Sequence, residues 1–144
     1  MSDGPMQKVA DELAIRGLIT RLSALSDNGD LDEYQSLYTE DAVWAMAPVA
    51  GQPDTPPTVG AAAIRAAGQD RRNQGAAGPG SHKAHVTTVN AVAVNGDRAT
   101  AQSYMTFYIN TNTKPEPAAF MVYEDAFVRT PQGWKLSYRA IKRL

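Results

Sequence analysis

The chain has no cysteine, two histidines and almost no imbalance of charge. Without cysteine there is no disulfide, no thiol nucleophile and no thiolate metal site. That composition fits a reducing compartment, and a cytoplasmic protein is the expectation. Lys and Arg number 14 and Asp and Glu 15, which leaves a net charge of −1. The longest basic runs, Arg71-Arg72 and Lys142-Arg143, are two residues each. Nucleic-acid binding needs a basic stripe, so that class is excluded. No apolar run approaches the ~18 residues of a membrane span. The opening segment, Met1 to Gln7, is polar and has no signal-type apolar core. Large apolar residues are scarce as well. Of 62 apolar residues 23 are alanine, so 39 larger ones must build the core of a 144-residue chain. So thin a core points to a hollow fold or to one that leans on a partner subunit.

The length suits one domain, expected over residues 8–144 after a flexible N-terminus at 1–7. A helical period runs through Val9, Leu13, Leu18, Leu22 and Leu25 and ends at Asn28-Gly29. Asp30 then reads as an N-cap, with Glu33 three residues on completing a capping-box pattern for a short second helix. Thr39-Glu40-Asp41 is expected to break that helix, and Ala42 to Met46 reads as a strand. Residues 47–58 carry four prolines and form a long loop, either a lid or binding loop or a tolerated insertion. Gly60 to Gln74 is alanine-rich and helix-prone. Gly75 to Gly80 is a glycine-rich break with no Lys-Ser/Thr after it, so it is no phosphate loop. Four strands follow: Ala84–Val94, Arg98–Ile109, Ala119–Arg129 and Trp134–Ile141. Asn95-Gly96 and Pro131-Gln132-Gly133 mark hairpin turns between them. Helices followed by an antiparallel meander give an α+β fold, with helices packed on one face of a sheet.

Histidine is the best acid/base near neutral pH. His82 sits at a loop edge beside Gly80-Ser81 and reads as solvated. His85 lies inside a strand, with Thr87 and Val89 on its face. A His-x-x-His pair on a strand points its members to opposite faces, so no metal site is expected there. Asp27 closes the first helix, where a carboxylate opposes the helix dipole and needs compensation. Leu13, Gly17, Thr20 and Ala24 share its stripe. Apart from Leu13 these are small, which would leave space beside the carboxylate. Glu124 and Asp125 are adjacent on a strand, so one faces inward. Parity with Tyr123 and Phe127 selects Asp125, although both alternating sets contain apolar residues. Ala99, Ala101, Ser103, Met105 and Phe107 form the more apolar face of the second long strand. Its other face, Thr100 to Tyr108, is polar-aromatic and suits either a dimer interface or solvent.

Three segments together resemble a known family. They are Ser26-Asp27-Asn28-Gly29-Asp30 with Leu37 to Trp44, His85 to Asn90 with Asn95 to Ala99, and Tyr123 to Phe127 with Gly133 to Leu136 and Arg139. In that order they resemble the SnoaL-like proteins of the nuclear-transport-factor-2-like, cystatin-type superfamily, over about residues 8–143. The resemblance implies a cone: a curved antiparallel sheet wrapped around N-terminal helices, with an interior pocket and dimerisation through the sheet. Relatives include scytalone dehydratase, ketosteroid isomerase, limonene epoxide hydrolase, polyketide cyclases and a dehydrochlorinase, besides non-catalytic scaffolds. In the dehydratase-like branch an Asp at the first helix end pairs with a His on the first long strand. Here those positions are Asp27 and His85, which implies a catalytic dyad and a cofactor-independent lyase. Isomerase or cyclase chemistry, non-catalytic binding and an accessory-subunit role remain the alternatives. Two departures stand out. Ser26 replaces the tyrosine that precedes the Asp in scytalone dehydratase, and no second histidine follows His85. The leaving-group acid must then be Tyr123, Asp125, Tyr38 or water. Trp44, Met46, Met105, Phe107 and Tyr123 would line a pocket for a small hydrophobic or aromatic substrate.

Overall fold

The computed structural model describes residues 4–144. Helices α1 (Pro5–Asn28) and α2 (Leu31–Ser36) come first, then strands β1 (Tyr38–Met46) and β2 (Thr58–Val59) and helix α3 (Ala61–Asn73). Strands β3 (Ala84–Asn95), β4 (Arg98–Ile109), β5 (Glu116–Thr130) and β6 (Gly133–Lys142) complete the chain. The six strands form one curved, unclosed sheet in the order β2-β1-β6-β5-β4-β3. The expected α+β class holds. The β3 to β6 meander is antiparallel throughout, whereas β1 lies parallel to β6. Among the described residues no helix is long and apolar enough to cross a membrane.

α1 begins earlier than the apolar period predicts. Pro5 occupies its first turn, where a missing N–H costs nothing. Of the flexible segment expected over 1–7, residues 5–7 are therefore helical, and 1–3 lie outside the described residues. The buried face carries Ile15, Leu18, Ile19, Leu22 and Leu25, which meet Phe127 and Leu136 of the sheet in the main core. Val9 and Leu13, expected on that face, are 55% and 65% exposed. The face instead passes through Asp11, a charge that the apolar period cannot predict.

Asp11 is buried because its partners satisfy it. Arg129 grips both carboxylate oxygens at 2.8 Å, Trp134 Nε1 donates at 3.0 Å and Gln7 at 3.1 Å. The Arg129 guanidinium also lies over the Trp134 ring, 4.5 Å from its centroid. This cluster pins the first half of α1 to the β5–β6 hairpin.

α1 stops where the chain requires. Gly29 N–H bonds to Leu25 O, and a Cβ at Gly29 would meet Leu25 backbone at 2.7 Å, so the glycine is there for close approach. Asp30 caps α2 as predicted, accepting from the N–H groups of Asp32 and Glu33. Glu33 does not complete a capping box, because its carboxylate pairs with Arg21 of α1. Thr39-Glu40-Asp41, expected as a break, is already strand, since β1 pairs with β6 from Tyr38 onward. In the first hairpin Gly96 and Asp97 are the two loop residues, with Gly96 at φ +61°, shifted one place from the Asn95-Gly96 reading.

The guanidinium of Arg129, through its bonds, holds the Asp11 carboxyl well below the usual carboxylate range. A lowered native pKa stabilises the fold above the unfolded value of about 4 and is lost as pH falls below it. Asp11→Asn should therefore lower the melting temperature at neutral pH, by about 2 kcal/mol of unfolding free energy. The gap to wild type should narrow at acid pH. Calorimetry at both pH values checks this, and a gap that widens in acid would contradict it.

Candidate active site

β3 is an edge strand, and its first residues lie against the C-terminal end of α1. Asp27 of α1 reaches His85 of β3 with both oxygens. Oδ2 accepts the His85 backbone N–H at 2.8 Å and Oδ1 lies 2.6 Å from ring Nδ1. A carboxylate only accepts, so Nδ1 carries the proton. In the neutral imidazole Nε2 then holds the lone pair. Phe107 packs against the imidazole in a tilted contact, with centroids 4.7 Å apart and planes at 57°. The dipole cost of an acid at this helix end is offset locally. Arg72 Nη2 donates to the carbonyls of Leu25 and Ser26 in the last turn of α1 and of Gly29 just after it, at 2.9, 3.3 and 2.8 Å. Gly78 lets this arginine through, because a Cβ there would meet its side chain at 2.5 Å.

His85 lines a cavity of about 330 Å³ whose wall is mostly apolar. Of the residues expected to line it, Trp44, Met46, Met105 and Tyr123 do so. Phe107 stands behind the imidazole instead. Tyr38 and Asp125 lie one layer further back. The Tyr38 hydroxyl donates to that of Tyr34 at 2.8 Å, and it is Tyr34 that reaches the cavity. Asp125 faces inward as strand parity predicts, but it forms a buried bidentate pair with Arg139 at 2.7 and 2.9 Å. It is thus no free acid, and Arg139 is the member of the pair at the cavity wall. The small-residue stripe beside Asp27 does not border the cavity. Leu13, Gly17, Thr20 and Ala24 face solvent, and the room is made by Ser23 and Ser26 one face over. His82 is an exposed loop residue at φ +55°.

Sequence reasoning missed Arg71, Tyr34 and Met121 at the cavity, and gave Arg139 no place in it. Arg139 had a readable signal, an opposite charge across a hairpin. A bulge between Ala126 and Phe127 shifts the register by one, so the plain hairpin count sets Asp125 opposite Tyr138 instead. Burial raises the hydroxyl pKa of Tyr34 and Tyr123 and raises that of Tyr38 further, so all three are neutral hydrogen-bond donors. Asp125 at its side keeps Arg139 charged despite complete burial, and the guanidinium sits 3.9 Å from the Tyr123 ring centroid. The proline-rich loop walls a second hollow of about 490 Å³ that shares Met46, Met121 and Ile141 with the first. The lining of the second hollow holds no imidazole, tyrosine or carboxylate, whereas His85, Tyr34 and Tyr123 line the smaller cavity.

Comparison with known proteins fits this architecture. The profile of the SnoaL-like domain family matches residues 7–140. The chain belongs to this family. A crystal structure of a nuclear-transport-factor-2-like protein with a cystatin-like fold, from Novosphingobium aromaticivorans, is similar at 28% identity and TM-score 0.77, covering 100% of this chain and 92% of that one. A protein of unknown function with a cystatin-like fold from Nostoc punctiforme is similar at 20% identity and TM-score 0.75, over 99% and 94%. One from Mycobacterium tuberculosis, also of unknown function, shares 22% identity and TM-score 0.78, over 96% and 75%. No curated protein matches the chain by sequence. SnoaL-like domains commonly carry isomerase or dehydratase activity.

The buried ion pair gives this SnoaL-like domain a stability signature. Removing one partner leaves an uncompensated buried charge, at a cost of about 3–5 kcal/mol. Asp125→Leu should lower unfolding stability by that order, and adding Arg139→Met should restore much of it. Denaturant melts measure both, and a double variant no better than the single one would contradict the pairing.

Proposed function

We propose that this domain is a cofactor-independent lyase or isomerase in which His85 Nε2 removes a proton from carbon in a small hydrophobic or aromatic substrate. The Asp27–His85 contact at 2.6 Å, with the imidazole at the wall of a largely apolar cavity, carries the reading. Asp27 orients the ring and stabilises the imidazolium that forms, as a carboxylate does behind any catalytic histidine. The backbone N–H of His85, bound to the same carboxylate, fixes the pair as a unit. In an elimination, the electrons of the broken C–H bond form the new double bond and the leaving group departs with its own bonding pair. Tyr34 is the fitting donor to that group. Its oxygen accepts from Tyr38, which frees its own proton to point elsewhere, and burial keeps that proton on. In an isomerisation, His85 returns the proton to a neighbouring carbon. The open volume of the cavity weighs against a purely structural accessory subunit, whose pocket would be filled.

A second copy of the chain is the proposed partner, docked on the outer sheet face. Val86, Phe120 and Tyr138 are 52%, 42% and 42% exposed there, and Tyr104 packs on Phe120 at 5.2 Å. Cross-strand pairing puts Val86, Thr106 and Phe120 in one row, while Tyr138 pairs with Ala126 further along the same face. Phe120→Asp should convert a dimer to monomer in sedimentation velocity. A wild-type chain that stays monomeric at high concentration removes this part of the proposal.

Proton abstraction can be read without knowing the product. In D2O, an aromatic ketone or other apolar compound with an acidic C–H should exchange that hydrogen in the presence of the protein. His85→Ala should slow the exchange by about 10²–10⁴, the usual share of a general base, with Asp27→Asn losing a large part of it. Tyr34→Phe should retain exchange but lose elimination. Undiminished exchange in His85→Ala would sink the dyad.

A further inference from the structure

Arg71-Arg72 is one of the two basic pairs in the chain, and the structure gives its two members opposite tasks. Both lie in the last turn of α3, where a cation complements the helix dipole. Arg72 turns to α1 and is consumed by the three carbonyls at its end. Arg71 turns to the cavity. Its guanidinium carbon lies 5.6 Å from the centroid of the Trp44 ring, and both side chains belong to the wall that carries His85. The Arg71 carbonyl accepts from the Ala76 N–H, but among the described residues its guanidinium has no carboxylate partner and donates no hydrogen bond.

The charges of the cavity wall can be assigned one by one. His85 is matched by Asp27 and Arg139 by Asp125. The wall itself contains no Asp or Glu. Arg71 is what remains, a half-buried cation at a mostly apolar surface, within cation–π reach of the Trp44 ring. A guanidinium in that setting is a planar fork of donors that fits a carboxylate with two parallel bonds.

We propose that Arg71 is the anchor for a carboxylate on the substrate. The ligand class becomes a small aromatic or apolar monocarboxylic acid, with its ring among Trp44, Met105 and Tyr123 and its reacting carbon toward His85. The anchor would hold the acid group in place while leaving Arg139, already neutralised, and Tyr34 free for the reacting end. This rests on the cavity being the substrate site, as proposed above, and it is tested by binding alone, so turnover does not enter.

The probes are benzoate, phenylacetate and cinnamate, each against its own neutral amide, read by quenching of tryptophan fluorescence at moderate salt. The expected result is that at least one acid binds about 10-fold or more tightly than its amide, the range of one charge-assisted contact. Arg71→Gln should bring that ratio to about one with the amide's affinity little changed, and Arg71→Lys should keep part of it. His85→Gln should leave the ratio intact, so failure of the His85 chemistry and failure of the Arg71 anchor give different outcomes. Circular dichroism and the melting temperature of Arg71→Gln check that the fold is kept. An acid-to-amide ratio near one for all three probes in wild type, or a ratio that survives Arg71→Gln, overturns the proposal.

Discussion

The site depends on one carboxylate that does two things at once. Asp27 takes the backbone N–H of His85 and its ring Nδ1 through separate oxygens. The first bond ties the end of α1 to the edge strand β3, and the second sets the tautomer of the imidazole. Position and protonation are therefore one constraint. Moving the helix end relative to the strand would cost both together, which is a reason for the α1 terminus to be so heavily braced. Arg72 caps its carbonyls, Gly29 admits the close turn, and Asp30 starts α2 immediately after.

Around that pair the protein separates charge from apolar space. Each buried ionic group is paired before it reaches the cavity: Asp11 with Arg129 at the far end of α1, and Asp125 with Arg139 under the cavity wall. Burying charges costs several kcal/mol per ion unless bonds replace the water, and here bidentate geometry does so. The result is a wall that is mostly aliphatic and aromatic, with tyrosine hydroxyls held neutral by burial and with His85 and Arg71 among the lining side chains. A scarcity of large apolar residues is consistent with such a molecule. The chain spends few of them because part of the interior is left open.

Much of this was legible in the sequence, and the failures have identifiable causes. Periodicity and turn chemistry found α1, the Asp30 cap and all four meander strands, because those signals are local. Residue type and position offered His85 and Asp27 as candidates, the family resemblance paired them, and strand parity turned Asp125 inward. Three features needed the tertiary structure. Asp11 interrupts an apolar face, so the helical period put Val9 and Leu13 in the core, where Arg129 and Trp134 instead make a charge welcome. The β5–β6 bulge displaced the Asp125–Arg139 pairing by one residue, hiding a salt bridge that a regular hairpin would have announced. Arg71 and Arg72 are adjacent and identical in type, and only the packing of α3 between α2 and β1 tells a helix cap from a cavity residue.

In the proposed mechanism Asp27 holds a proton on Nδ1 of His85 and leaves Nε2 as the base. Long-range proton–nitrogen correlation spectra of the two histidines, taken above neutral pH, test it most directly. Exposed His82 serves as the internal reference. His85 should carry the Nδ1–H tautomer in the wild type and lose it in Asp27→Asn. A wild-type His85 that carries its proton on Nε2 would contradict it.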